Sequence, residues 1–273
     1  MTILDMLAYP PILRGALVLL ISGTIFPLVG VFVLRLHLIT LRFALMHSAL
    51  LGASVGLALG FSPVVAGMVA NALLVVVVSL VGARSESNAG HITTFFMVFT
   101  VGLAFAILYR FDVPARESLG LLWGNVFALA PGDAVLTAAF AVAVLLALLF
   151  FFPSVRAVLY DREIAFTSGI DDRAVYVAIL FAVGFTITLV MGLIGALLLD
   201  AILVLPALIA GFYSRSTRGL FLIASGSGLL ISVAGFGAAI HIDIPVSSGI
   251  TLVGAGALAI TAIHSRRKRR ITR

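Results

Sequence analysis

Two ionisable residues interrupt long apolar stretches of the sequence and are its first candidates for chemistry. His47 follows Met46 in one stretch, and Asp200 follows Leu199 in another. Inside a bilayer an acid at a helix centre costs about 2.5 to 3.5 kcal/mol, so each residue needs a reason to be there. Imidazole and carboxylate groups bind zinc, manganese and iron, and the same two groups could relay protons. The alternative for both is packing, with His47 satisfied by a carbonyl and Asp200 paired with a neighbouring helix.

Three further polar residues stand at the ends of apolar stretches. His91 precedes Ile92, where an exit ligand and a solvated cap would look alike, and the cap is favoured because polar residues gather at helix starts. His241 and Asp243 stand two residues apart before Pro245. They could receive a metal ion, or Asp243 could cap the next helix, which is the reading we favour.

Small and polar residues within the apolar stretches predict helix packing. Gly52 and Gly56 are four residues apart, as are Gly56 and Gly60, and this spacing lets helices approach closely. Asn71 is a lone amide, which we expect to bind a neighbouring helix rather than a metal ion.

The elements that must position these residues are membrane-spanning helices. Hydrophobic residues make up 62% of the 273 residues and charged residues only 10%, which excludes an ordinary soluble enzyme. Because a helix needs about 20 apolar residues to cross a bilayer, we predict an all-α polytopic membrane protein with about nine transmembrane helices. Eight helices remain possible, since the boundary between two predicted spans near Met191-Gly192 is only weakly marked in the sequence. The predicted windows are Gly15 to Leu34, Phe43 to Phe61, Val64 to Ala83, Ile92 to Tyr109, Val135 to Phe152, Ala174 to Val190, Leu193 to Phe212, Leu220 to Ile240 and Val246 to Ile263.

The distribution of positive charge predicts the orientation. With nine spans and a cytoplasmic C-terminus, every Lys and Arg except Arg14, Arg110 and Arg116 faces the cytoplasm, as the positive-inside rule requires. The net charge of +6 therefore reflects topology, including a basic tail over 264–273, and not a nucleic-acid partner. We expect the first apolar stretch to be a span and not a cleaved leader.

Two loops are longer than a hairpin needs. In the outer loop, Trp123 lies in an apolar segment and is expected to anchor it in the membrane interface. The inner loop, residues 153–173, carries acids and arginines around an apolar stripe of Val158, Leu159, Ile164 and Ala165. This pattern suits docking onto a soluble partner, and a solvated connector is the alternative.

Four segments of the sequence form a recognisable set: Leu122 to Phe127, Tyr160 to Ala165 followed by Gly169, Gly192 to Leu199 with Val204 to Ala207, and Ile242 to Gly249. In order and spacing they resemble the motifs of one known family, the membrane-spanning permease subunits of ABC importers for zinc, manganese and iron. His47 also lies in a segment similar to that family's His-Ala-x-x-x-Gly.

The resemblance implies a type II ABC importer-like permease, with 1–273 as a single transmembrane domain in a bacterial or archaeal cytoplasmic membrane. Residues 153–173, which we call the coupling segment, would bind a separate ABC ATPase, with Tyr160, Asp161, Glu163, Ala165 and Gly169 as the matching positions. The other implied partners are a second permease copy or close paralogue, an extracytoplasmic metal-binding protein and membrane lipid. The cargo would be a divalent transition metal ion, with no permanently bound cofactor. The sequence has no Gly-x4-Gly-Lys-Ser/Thr phosphate loop, so ATP belongs on the partner.

One position departs from the family. An Asp one turn before the histidine is common, and here that position is Phe43. Asp200 could compensate, but counting 1.5 Å per residue puts His47 about 6 Å from one end of its helix and Asp200 about 10 Å from the opposite end of its own, which favours successive stations. The departure leaves open a permease for a metal chelate or other small molecule. An ion-coupled secondary carrier is the alternative from a different class.

Overall fold

The computed structural model describes residues 9–82, 86–114 and 126–271, and over these residues the regular secondary structure is helical. A short 3-10 helix covers Val126–Ala128. The α-helices, numbered in chain order, are α1 Pro10–Arg35, α2 Ile39–Leu59, α3 Pro63–Gly82, α4 Glu86–Arg110, α5 Pro131–Phe150, α6 Phe152–Tyr160, α7 Arg162–Thr167, α8 Asp172–Ile194, α9 Ala196–Leu203, α10 Leu205–Tyr213, α11 Thr217–Ile242 and α12 Val246–Ile271.

Within the described ranges, nine helical stretches are long and apolar enough to cross a membrane. They coincide with the nine predicted windows, α9 and α10 together forming one stretch over Ala196–Tyr213. The predicted all-α polytopic fold with about nine spans is therefore confirmed. Helix α12 continues to Ile271, through most of the predicted basic tail. The predicted interfacial anchor Trp123 and most of its motif lie outside the described residues.

The seventh predicted span differs from expectation at both its start and its middle. Helix α8 runs through Met191-Gly192, and the chain breaks instead at Gly195, whose φ of 93° is accessible mainly to glycine. The break at Val204 between α9 and α10 has a second cause. Pro206 has no N–H to donate to the carbonyl of Ile202, so the regular hydrogen-bond ladder is interrupted there.

The described helices group into two compact units that alternate along the chain. The first unit contains Met1–Leu34, Asn125–Leu145 and Leu197–Arg273, and the second contains Arg35–Gly124 and Leu146–Ala196. The first unit therefore holds nearly all of α1 and α9, most of α5, and α10 to α12, and the second holds α2 to α4, the end of α5 and α6 to α8. The single permease domain over 1–273 stays a prediction.

The first unit is packed around α1. Phe26 meets Phe140 and Phe32 meets Phe221 edge to face, with ring centroids 6.3 and 5.7 Å apart. Glycine lets α1 approach its neighbours, since a Cβ on Gly23 would lie 2.8 Å from the Cβ of Ser232. The first unit is thus held by edge-to-face ring contacts and by a close helix approach at a glycine. Membrane helices associate by close packing of this kind.

The second unit is packed around α2, α3 and α8. A Cβ on Gly52 of α2 would overlap the carbonyl of Ala66 on α3. Gly56 of α2 packs against Pro63, which is also on α3. The buried amide of Asn71 donates from Nδ2 to the carbonyl of Gly184 at 3.0 Å and to Oγ1 of Thr188 at 2.8 Å. The predicted glycine packing seam is confirmed at Gly52 and Gly56 and is wrong at Gly60, which ends α2 in the left-handed conformation with no atom within 4 Å of a Cβ position. The prediction of Asn71 as an interhelical contact is confirmed.

Candidate functional site

His47 lies on the half-buried side of α2. With Phe43, Leu51 and Val55 it forms a row spaced by four residues, which we call the α2 stripe, and each of its members is half-buried. The rest of α2 is largely buried in the second unit, where Ala49, Leu50 and Ala53 join a core cluster with Met191, and Leu51 of the stripe packs against that cluster. Since residues four apart share one helix face, His47 lies on a half-buried face at the margin of its unit's core.

A hydrogen bond fixes which nitrogen of His47 is available. Nδ1 lies 2.8 Å from the backbone carbonyl of Phe43, and a carbonyl can only accept, so Nδ1 carries the proton. In the neutral ring the lone pair is therefore on Nε2. Metal-binding histidines are commonly oriented in this way, by a carbonyl bonded to the second ring nitrogen. The same bond is also what the packing alternative expects, in which His47 is a packing residue and a backbone carbonyl accepts its N–H hydrogen bond.

The depth of His47 differs from the prediction. Helix α2 begins at Ile39, four residues before the predicted window. His47 is therefore eight residues into its helix, about 12 Å along the axis where about 6 Å was expected.

Asp200 lies on the more accessible side of α9. It is half-buried, Leu197 on the same side is exposed, and Leu198, Leu199 and Ala201 are buried. Because α9 begins at Ala196, Asp200 is about 6 Å from the end of its span rather than about 10 Å. Asp200 belongs to the first unit and His47 to the second, so their combination into one pathway stays a prediction.

Among the residues that the structure describes, no three His, Asp or Glu side chains come together as a metal cluster. A resident zinc ion typically takes four ligands, or three and a water. The roles of His47 and Asp200 toward a metal ion stay predictions.

The remaining candidate residues of the membrane helices are exposed. His91 lies in the second turn of α4, which begins at Glu86, so the interpretation of His91 as a helix cap is wrong. Asp243 ends α11 in the left-handed conformation, with φ 57°, and its N–H donates to the carbonyl of Ala239. Asp243 therefore occupies the C-cap of the preceding helix, and His241 is in that helix's last turn. Their roles toward a metal ion stay predictions.

In the coupling segment, the matching residues define a helical hairpin in the second unit. The carboxylate of Asp161 accepts from the N–H groups of Glu163 and Ile164 at 2.8 and 3.0 Å and so caps the start of α7. Gly169, with φ 81°, ends the hairpin, while the N–H of Ile170 donates back to the carbonyl of Ala165. Ala165 is fully buried against its unit. The motif thus determines the local backbone conformation of the coupling segment through one helix cap, one left-handed glycine and one small buried residue.

The exposed side of this hairpin carries large apolar groups beside a charge. Tyr160, Ile164 and Phe166 are 81, 53 and 68% exposed, and Glu163 is exposed as well. We call these four residues the coupling surface. Of the apolar stripe predicted for docking, only Ile164 is exposed, while Val158, Leu159 and Ala165 pack inward. The sequence analysis missed Phe166, although an aromatic residue two positions after Ile164 in a short charged helix was a usable signal.

Comparison with known proteins identifies the class. The chain matches the ABC 3 transport family over residues 8–265, which is nearly its whole length, and it belongs to that family. The resemblance to permease subunits of metal ABC importers is thereby confirmed, and the chain is a multi-pass membrane transport subunit.

Individual relatives and one solved structure agree with this membership. The chain is 25% identical to the manganese import system permease protein ScaB of Streptococcus parasanguinis, covering 89% of this chain and 87% of that protein. It is also 25% identical to the high-affinity zinc uptake system membrane protein ZnuB of Haemophilus influenzae, covering 78 and 80%. The structure of PsaBC from Streptococcus pneumoniae in complex with Fab superposes with a TM-score of 0.83 at 19% identity, covering 94% of this chain and 93% of that one. At this identity the superposition supports the fold alone.

Proposed function

We propose that the chain is the permease subunit of an ATP-driven importer that moves a divalent transition metal ion, manganese or zinc, across the bacterial cytoplasmic membrane. The observation that carries the proposal is the family match over residues 8–265, with relatives named for manganese import and zinc uptake along most of the chain. The permease itself hydrolyses no ATP. A separate ATPase powers the change in access.

The pathway in this proposal contains His47 and Asp200 as successive stations. The proton on Nδ1 of His47 is held by Phe43, which leaves Nε2 as a nitrogen ligand, and the Asp200 carboxylate supplies a hard oxygen ligand. Neither residue belongs to a larger cluster within the described part of the chain. An ion would therefore exchange ligands with water at each station and leave readily.

The coupling surface binds the ATPase on the cytoplasmic side in this proposal. Positive charge along the chain supports that orientation of the coupling segment and of the C-terminal tail. Three exposed apolar residues around Glu163 support the contact, because buried aromatic anchors dominate the binding energy of protein interfaces. Asp161, Ala165 and Gly169 hold the surface in shape.

Two further partners belong to the proposal. A second permease copy, or a close paralogue, packs against a membrane-exposed face such as the row Val65, Val69, Leu73, Val76 and Leu80 of α3. An extracytoplasmic metal-binding protein delivers the ion to the opposite side, where His241 and Asp243 are exposed.

Reconstituted transport tests the proposal. The chain is co-expressed with an ABC ATPase and a metal-binding protein from the same genome, and uptake of radioactive manganese and zinc is measured in proteoliposomes. We expect uptake that requires ATP hydrolysis. His47→Gln is expected to reduce uptake by about tenfold, the lower end of the range for losing a partner of a metal site, and Asp200→Asn by less.

Two matched variants control for the substitutions themselves. His264→Gln and Asp112→Asn make the same chemical changes at exposed positions and should transport normally. Uptake driven by a proton gradient without ATP would identify a secondary carrier instead. Normal uptake by His47→Gln would assign that residue to packing.

A further inference from the structure

Arg162 makes two contacts with α8 that the coupling motif does not explain. Its Nε and Nη2 both donate to Oδ2 of Asp172, at 3.0 and 2.8 Å. Its Cζ lies 4.3 Å from the ring centroid of Tyr176. The guanidinium is thus held by a charge-assisted hydrogen-bonded pair and by the face of an aromatic ring.

The contacts of Arg162 connect the first turns of two helices. Arg162 is the first residue of α7, and Asp172 is the first residue of α8. Tyr176 stands one turn further along α8, on the same face as Asp172. A single side chain from the short coupling helix therefore contacts two successive turns of a helix that goes on to cross the membrane.

The surroundings of Arg162 favour a mechanical role for its contacts with Asp172 and Tyr176. A cleft of about 640 Å³ adjoins Arg162, Asp172 and Tyr176, and its other walls include His37 and Thr93. Elsewhere in the coupling segment, Val158 and Ala165 are buried among apolar neighbours. Apolar packing is non-directional and tolerates sliding, whereas a hydrogen-bonded ion pair fixes direction and distance.

We propose that Arg162, Asp172 and Tyr176 form a brace that transmits movement of the coupling segment to α8, with Arg162 as its positioning residue. The proposal rests on the proposed function, because it assumes that an ATPase moves the coupling segment. Helix α8 also holds α3 through the bonds of Gly184 and Thr188 to Asn71, so the brace acts on a joined pair of helices. The Arg162 and Asp172 side chains are 42 and 18% exposed, so the pair adds little to stability and its loss leaves the fold intact.

The test measures metal ions transported per ATP hydrolysed by the reconstituted complex, together with recovery of the ATPase on the purified permease. We expect Arg162→Gln and Asp172→Asn each to lower the transport ratio by about fivefold, the low end of coupling between sites. The double variant should be no worse than either single one, because both remove the same contact. Recovery of the ATPase should stay at the wild-type level.

Conservative and control variants separate the brace from a general structural role. Arg162→Lys keeps the charge but not the two-nitrogen contact and should fall between wild type and Arg162→Gln. Tyr176→Phe keeps the ring and should stay closer to wild type than Tyr176→Leu, which should lower the ratio. Arg215→Gln removes an exposed arginine between α10 and α11, outside the coupling segment, and should change nothing.

Three outcomes would overturn the brace. They are a wild-type transport ratio in Arg162→Gln, additive losses in the double variant, and a loss of ATPase recovery that would place Arg162 in the ATPase contact itself. Failure of the proposed function looks different, since the wild-type complex would then show no ATP-dependent metal uptake at all.

Discussion

The coupling segment and helix α2 both carry family motifs, but their residues are constrained in different ways. In the coupling segment the constraint is local, because Asp161 caps α7 within three residues and Gly169 provides a left-handed turn with no atom near its Cβ position. In α2 the constraint comes from neighbours, because Gly52 is small where the backbone of α3 passes. His47 belongs to neither kind, since it is a half-buried residue that neither caps a helix nor leaves room for a neighbouring backbone.

This difference separates shape from chemistry. Residues that set local backbone geometry or close packing have an identifiable structural role, and replacing them should damage the fold. A half-buried ionisable residue on an otherwise apolar stripe has a smaller structural role, so its presence calls for a functional explanation. Variants of the first kind should affect folding, and variants of the α2 stripe should affect transport alone.

The largest effect is expected from Gly52→Ala. The added Cβ would overlap the carbonyl of Ala66 and lie 2.6 Å from the Cα of Gly67, and backbone atoms cannot move aside as a flexible side chain would. Overpacking of this kind costs about 1–3 kcal/mol or more. We expect a sharp loss of monodisperse protein in detergent and a lower unfolding temperature. Gly102→Ala on α4, where a Cβ meets open space, is the control, and equal yields would contradict the packing assignment.

Gly169→Ala should have a smaller, local effect. No atom lies within 4 Å of the new Cβ, so the only cost is the left-handed backbone at φ 81°, about 1–2 kcal/mol. We expect faster hydrogen exchange in residues 162–170 with an unchanged membrane core. Gly169→Asn should recover part of the loss because asparagine tolerates this conformation. Gly211→Ala, at an open helical position, provides the comparison, and identical exchange in both alanine variants would rule out a conformational role for Gly169.

The sequence predicted the features that depend on local composition. Apolar windows gave all nine spans of the described residues, because length and hydrophobicity alone decide which helices can cross a membrane. It misplaced the break beside Met191, because the sequence alone does not show that Gly192 stays helical while Gly195 takes the left-handed φ of 93° that ends α8. The contact between Arg162 and Asp172 was also beyond reach, because it depends on how the hairpin folds back onto α8.

The smallest expected effect, and the most direct test of the α2 stripe, is Phe43→Asp. Phe43 stands one turn before His47 on the same half-buried face, so a carboxylate there would add a hard oxygen ligand beside Nε2. We expect the metal concentration for half-maximal uptake to fall by about fivefold, a modest coupling between two groups, with yield unchanged. Phe43→Asn shortens the side chain equally without adding charge and should not reproduce the gain. The guanidinium of Arg42 lies 4.2 Å from the centre of the Phe43 ring and competes for the new carboxylate. An unchanged metal response would therefore mean that position 43 faces Arg42 and not the ion, and the α2 stripe would lose its place in the pathway.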